Sequence, residues 1–294
     1  MKGGDATRKP DISCWFPGNE FDWRHIATFA EVKNRAGTAN EKSSYIEAAG
    51  KALCMLYAQD GRHAALCIRI LGSKIYLTIF DRGGSLSTTG YDIHLCPRAF
   101  LRILIGVSCA SLSTLGFDTS IRWRQDYHDG NVVRLKELEF VKDDIAYTIE
   151  LIKILFISDS LLGRGTTVWK GVKMMKKWRG KGKGREASEA VVVKDSWIDP
   201  VRKYTEGKIL SILNRHGIEG VPTLIHEQLI KTSYPSIAAA NSSTHFLRSA
   251  ITKGGRYFLR VLSRIITQPV GDLITDFSCL GELLVAFLDY LVGE

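Results

Sequence analysis

Residues 147–174 read YTIELIKILFISDSLLGRGTTVWKGVKM and residues 191–210 read VVVKDSWIDPVRKYTEGKIL; these two stretches decide the fold. Tyr147 to Ser158 alternates apolar and polar residues closely enough for a strand. Gly163-Arg164-Gly165 is a tight turn, and a second strand runs from Thr166 to about Met174. Val191-Val192-Val193-Lys194 is a third strand. Asp199 followed by Pro200 predicts a helix start, an acidic N-cap with proline at the first helical position. Strand, glycine turn, strand, strand with lysine, helix is an order suited to phosphate. Small residues in the turn let backbone N–H groups approach a polyphosphate. A strand lysine held by a helix carboxylate then neutralises its charge. Strand alternation puts Val192 on the face of Lys194, where an apolar side chain can cover an adenine ring. Glu206 precedes Ile209 by three residues and Leu210 by four, which predicts a shared inward face and makes it the helix partner. Asp195 and Asp199 are its rivals, and Gly207 weakens the helix by about 1 kcal/mol relative to Ala. The plain alternative for Lys194 is a strand lysine whose amine reaches into solvent.

Working outward, strands are predicted at Pro222–Ile225 and Tyr257–Ile266, with a closing helix from about Leu280 to Val292. Upstream, a strand from Ile26 to Val32 leads into a polar loop. Ser43 or Ser44 then caps a helix whose Ile46, Ala49, Leu53 and Leu56 follow the 3.6-residue period. Ala64 to Leu71 and Lys74 to Phe80 are strands joined by Gly72-Ser73, a two-residue connection suited to a tight hairpin. Pro97 opens a helix from about Arg98 to Leu115, and residues 1–22 read as irregular. The second unit is expected to begin near residue 140. The fold class is α+β, with a mixed α/β domain over 1–140 and a second domain over 141–294.

The length of 294 residues fits two domains at roughly 150 residues each. Apolar residues make up 45% and charged residues 24%, the balance of a globular chain. The net charge of +9 is concentrated in Lys170, Lys173, Lys176, Lys177, Arg179, Lys181, Lys183 and Arg185. Without residues 170–185 the chain is close to neutral. This basic loop fits a nuclear-localisation signal or a nucleic-acid patch with Trp178 to stack on a base. The blander reading is a solvated loop made flexible by Gly180, Gly182 and Gly184. Six Cys without a CxxC pair favour buried thiols over disulfides or zinc. The His residues have no metal-ligand spacing, and no metal site is expected. Trp169, Trp178 and Trp197 read as packing anchors rather than a binding cage. The apolar stretch from Phe100 to Phe117, interrupted by Arg102, falls short of the about 20 residues a membrane span needs. With no secretory signal at Met1 to Pro10, an intracellular protein is expected, cytoplasmic or nuclear, with no membrane partner.

The segments ILFISDSLLGRGTTVWKG, VVVKDSWIDPVRKYTEGKIL and ITDFSCLGELLVAFLDYL resemble the fungal-type protein kinase family, as do AEVKNR and GSKIYLTIFDRGGSLST upstream. The resemblance runs from about Trp23 to the C terminus. It implies a kinase-like small lobe with its hinge and first large-lobe helix, and ATP-dependent Ser/Thr phosphorylation of a protein substrate with ATP and Mg as cofactors. It makes Gly163, Arg164, Gly165 and Thr166 the nucleotide loop, Lys194 the phosphate lysine, Glu206 its helix partner and Ile265 to Gly271 the hinge.

Two departures qualify that function. Val168 stands where the third glycine of a GxGxxG would fall. No HRD-type catalytic loop occurs in the sequence, and Asp276-Phe277-Ser278, although it resembles a DFG motif, precedes where that loop would lie. Phe277 therefore reads as packing. Phosphoryl transfer needs a base and acids that hold magnesium, so a truncated or pseudokinase fragment without activity is expected. A rival of another class is an interaction or scaffold protein whose exposed hinge-side surface docks a partner, and oligomerisation through the apolar Leu280–Val292 helix would favour it. A third reading rests on Glu31-Val32-Lys33, which resembles the ExK element of endonuclease-like folds. Asp22 and Glu31 would hold a divalent metal and Lys33 would stabilise the attacking water. The same pattern recurs at Glu206-Gly207-Lys208, so it is weakly specific.

Overall fold

The computed structural model describes residues 9–16, 22–128, 131–174, 189–231, 242–244, 248, 257–272 and 275–292. The chain divides into two compact units. The first comprises Met1–Thr119, Ile157–Thr166 and Ile230–Leu262, and the second Ser120–Phe156, Thr167–Leu229 and Ser263–Glu294.

The first unit is built on a mixed sheet. Its elements are β1 (Ile12–Trp15), β2 (Ile26–Lys33), α1 (Thr38–Ala58), β3 (Ala64–Leu71), β4 (Lys74–Asp81), β5 (Gly84–Ser87), β6 (Tyr91–Asp92) and α2 (Pro97–Ser108). The strand order is β1-β2-β3-β4-β5, with β6 on β4. β2 and β3 are parallel, joined through α1, and the other pairs are antiparallel. Alternation sorts the strand residues onto two faces. Phe29, Ala65, Cys67 and Phe80 meet Ala48, Ala52 and Met55 of α1. Ala30, Leu66, Ile68 and Ile75 meet Ile103 and Val107 of α2. A sheet covered on both sides explains the nearly unbroken apolar run of β3. The Gly72-Ser73 hairpin forms with Leu71 opposite Lys74, and Gly72 takes φ +56°, which a side chain disfavours.

The second unit adds β7 (Ile121–His128), β8 (Asn131–Lys142), β9 (Ile145–Ile157), β10 (Thr167–Met174), β11 (Glu189–Ile198), α3 (Glu206–Arg215), β12 (Thr223–Leu229), β13 (Val261–Gln268) and α4 (Leu280–Val292). Its sheet runs β12-β13-β11-β10-β9-β8-β7. One face buries Leu138, Phe140, Ile149, Leu151, Trp169, Val191, Val193 and Ile266 together. The α+β class read from the sequence is what the structure has. Its division near residue 140 falls inside β8.

Several local readings are corrected. α1 starts at Thr38 behind Gly37, not at a Ser43 or Ser44 cap, because exposed polar residues fill its first turn. α2 ends at Ser108, where a run of turns takes over before Leu115. Residues 12–15, read as irregular, pair with β2. Asp199 does not open a helix: its Oδ1 accepts from the Val201 amide at 3.0 Å in a turn, and α3 starts behind Thr205. All six Cys are free, but Cys14, Cys96, Cys109 and Cys279 are exposed; only Cys54 and Cys67 are buried thiols. Phe277 is 41% exposed and does not pack as expected. Among the described residues no helix is long and apolar enough to cross a membrane.

Candidate functional site

Lys194 lies on β11 opposite Val168 of β10. Val191 and Val193 turn into the core, so Val192 and Lys194 emerge together on the other, half-buried face. The Lys194 Nζ ends on both oxygens of Glu206, 2.6 Å from Oε1 and 2.7 Å from Oε2. The two rivals are engaged elsewhere. Asp195 takes a two-pronged bond from Arg264, Nε to Oδ1 and Nη2 to Oδ2, each at 2.6 Å. Asp199 caps its own turn. The Lys194 and Glu206 side chains keep 27% and 38% of their exposure. An ion pair this open contributes about 0–1 kcal/mol to stability, so fold stability does not account for its two-oxygen geometry. What the geometry does achieve is a fixed ammonium on an accessible strand face.

The helix carrying Glu206 is positioned by three features. Thr205 Oγ1 accepts from the Lys208 amide at 3.2 Å and caps α3. Asn214 ties the other end to the start of β12, donating to Pro222 O at 3.0 Å and accepting from the Leu224 amide at 2.8 Å. Gly207 is buried where α3 meets β12, and a Cβ there would collide with the Glu227 carboxyl. The inward face was expected to run through Ile209, but Ile209 is exposed and the contact is made at Gly207. The glycine's cost in helix propensity thus goes with the close approach of α3 to β12. Thr205→Ala is expected to cost about 1 kcal/mol of helix stability. Hydrogen exchange of the α3 amides, with β11 as internal reference, checks it.

The glycine turn is part of the first unit. Gly163 has φ +104° and Gly165 φ +46°, conformations that favour glycine. The Gly163 amide donates to Arg82 O at 3.0 Å, and Ser158 donates to Thr166 O at 2.8 Å, closing residues 158–166 into a loop. A Cβ on Gly165 would strike the Arg82 guanidinium, which itself donates to Ser160 O. One amide expected to be open for a phosphate is therefore already taken. The stretch Ile265 to Gly271, expected as a hinge, begins inside β13 with Ile266 in the core; only residues 269–271 leave the strand.

Asp22, Glu31 and Lys33 are not assembled into a metal centre. Asp22 caps a short 3-10 turn, Trp23–His25, and pairs with Arg24 at 2.8 Å. From Ile26 to Glu31 β2 alone spans roughly 17 Å. Glu31 is fully buried and paired with Lys51 of α1. Lys33 pairs instead with Glu47 at 2.8 Å, which raises the lysine's pKa and lowers the glutamate's. Of the basic loop, Lys170 and Lys173 lie on β10, with the Lys173 amine 5.0 Å from the Tyr147 ring centre. Lys176 through Arg185, with Trp178, lies outside the described residues.

Comparison with known proteins supplies a family. The family model described as fungal protein kinase matches residues 16–293. No curated protein and no solved structure matches the chain. A match over nearly the whole sequence means that the chain belongs to the fungal protein kinase family.

Proposed function

We propose that these 294 residues bind ATP with Mg through the face that carries Val192 and Lys194, and do not by themselves complete phosphoryl transfer. The observation that carries the reading is the bidentate Lys194–Glu206 pair between β11 and the helix that follows it, α3. In protein kinases a strand lysine paired with a helix glutamate holds the nucleotide phosphates. Here Lys194 would neutralise phosphate charge, Glu206 would hold the amine in place, and Val192 would cover the adenine. Gly163, Arg164, Gly165 and Thr166 are assigned to the nucleotide loop by their order along the chain. ATP would supply the phosphoryl group, and a protein hydroxyl would receive it in the family's reaction. The reading that these residues do not complete the transfer by themselves is supported by the sequence, in which no HRD-type loop orients that hydroxyl.

Calorimetric titration of Mg-ATP into the chain and into Lys194→Ala tests both halves. Binding is expected to weaken about tenfold or more in the variant, the loss of a charge-assisted contact. Release of phosphate from ATP is expected to be no faster than in the variant. Unchanged affinity sinks the nucleotide assignment; turnover above the variant sinks the inactivity.

A second reading, a docking module, is favoured by α4, where Leu280, Leu284, Val285, Phe287 and Leu288 are all exposed. A protein partner on that face, rather than nucleotide, would then carry the function.

A further inference from the structure

In the first unit α2 uses only one of its faces for folding. Ile103 and Val107 are buried against the sheet, and Phe100 and Leu104 pack beside them. At 3.6 residues per turn Arg98, Leu101, Arg102 and Ile105 fall on the opposite face, and all four are exposed. Leu101 and Ile105 each keep more than half of their surface in water. Just before the helix Leu95 is 82% exposed. These aliphatic side chains add nothing to the core, on a face where a globular helix ordinarily carries polar residues.

The turn that carries Leu95 is held in place. Asp92 Oδ1 accepts from the His94 amide at 2.9 Å and from the Leu95 amide at 3.1 Å, and Oδ2 accepts from Ser73 Oγ at 2.6 Å. The Cys96 amide donates to Asp92 O at 2.7 Å. The nearest acid before the helix is thus spent on fixing the projecting leucine. Residues 93–117 contain no Asp or Glu, and their charged groups are Arg98 and Arg102, with His94 beside Leu95. The outer side of α2 is therefore apolar and cationic, which complements a layer that is anionic at its surface and apolar beneath. Shape favours such a layer over a peptide. An amphipathic peptide needs a groove to enter, whereas Leu95 projects.

We infer that α2 and the Leu95 turn form a contact surface for anionic phospholipid membranes. Leu95, Leu101 and Ile105 enter the boundary between headgroups and acyl chains, and Arg98 and Arg102 pair with the lipid anions. The helix lies on the bilayer and does not cross it. The sequence alone led to no membrane partner; the outer face of α2 supplies one, and it stands apart from the nucleotide reading.

The full chain is floated on a density gradient with vesicles of phosphatidylcholine and phosphatidylserine in equal parts, and with vesicles of phosphatidylcholine alone. It is expected to bind the mixed vesicles and to bind phosphatidylcholine far less. Arg98→Gln with Arg102→Gln is expected to weaken binding to the mixed vesicles about tenfold or more. Leu95→Ser with Ile105→Ser is expected to weaken it to a similar degree, about tenfold. No binding to the mixed vesicles, equal binding to phosphatidylcholine alone, or unchanged binding by either double variant overturns the inference. Unchanged binding is what attraction of the basic residues 170–185 to the anionic surface would give. If a variant does not fold, the unaltered chain answers through a photoactivatable acyl-chain probe in the mixed vesicles, read by peptide mass. Label is expected in peptides from residues 94–109, and label confined to other peptides, or absent, overturns the inference.

Discussion

Replacing Lys51 with methionine is expected to destabilise the first unit by about 3–5 kcal/mol at neutral pH, because it strands Glu31 as an unpaired buried charge. Glu31 is 0% exposed, and one of its carboxylate oxygens has no hydrogen-bond partner. Burial raises its pKa above the ordinary 4.5, and the hydrogen bond and charge of Lys51 only partly oppose that. The sign of the pH dependence follows. A carboxyl with a raised folded pKa contributes stability fully below its unfolded pKa and loses it as pH rises through the folded value. Removing Lys51 lifts the folded value further, so the variant's deficit is largest at neutral pH and shrinks as Glu31 protonates toward pH 4.5. Glu31→Gln combined with Lys51→Met removes both charges and is expected to recover most of the loss. Hydrogen exchange over β2 and α1, at neutral and mildly acidic pH, reads the unit directly. A deficit independent of pH would mean that Glu31 is not ionised in the fold.

The pair also explains why the metal reading from the sequence was attractive and why the structure does not assemble it. Glu31 and Lys33 have the spacing of an ExK element because alternate strand residues share a face. That face is turned to α1, where Lys51 and Glu47 answer each charge with its opposite. Nothing in the sequence within ten residues of Glu31 announces Lys51, which reaches it only through the crossover helix. Charge pairing across elements is a tertiary fact.

Where one face of an element is buried, the sequence was legible. β3 and β4 stand at Ala64–Leu71 and Lys74–Asp81, within a residue of their reading, because apolar runs and a two-residue turn define both ends. α4 spans Leu280–Val292 as read. β7 and β8 went unread: Ile121 to His128 alternates, but with arginines between its apolar residues and Trp123 exposed. Its period of two was the available signal. The start of α3 was misplaced because Asp-Pro is a strong local cap pattern, whereas Thr205 caps through a hydroxyl that sequence does not distinguish from a loop threonine. At the candidate site, the lysine and its glutamate were legible from order and spacing.

Arg264→Met is expected to destabilise the second unit by about 3–5 kcal/mol, the cost of breaking a buried pair from one side. Arg264 is fully buried on β13, bonded through two nitrogens to Asp195 of β11 and through Nη1 to Ser120 Oγ at 2.8 Å. Removing the cation leaves Asp195 as a desolvated carboxylate on the residue after Lys194. Removing both charges is a different experiment. Asp195→Leu with Arg264→Met replaces the pair by apolar side chains, and such replacements are often neutral or better. The double variant is therefore expected to be far more stable than Arg264→Met alone, although one substitution further from the natural chain. Exchange of the β11 and β13 amides reads the effect, and at about 1.4 kcal/mol per tenfold the single variant loses roughly two to four decades of protection. A double variant as unstable as the single would show that the cost lies in shape, not in the stranded charge. If the charge is the cause, the double variant also returns the Lys194–Glu206 contact, because β11 is then held by packing.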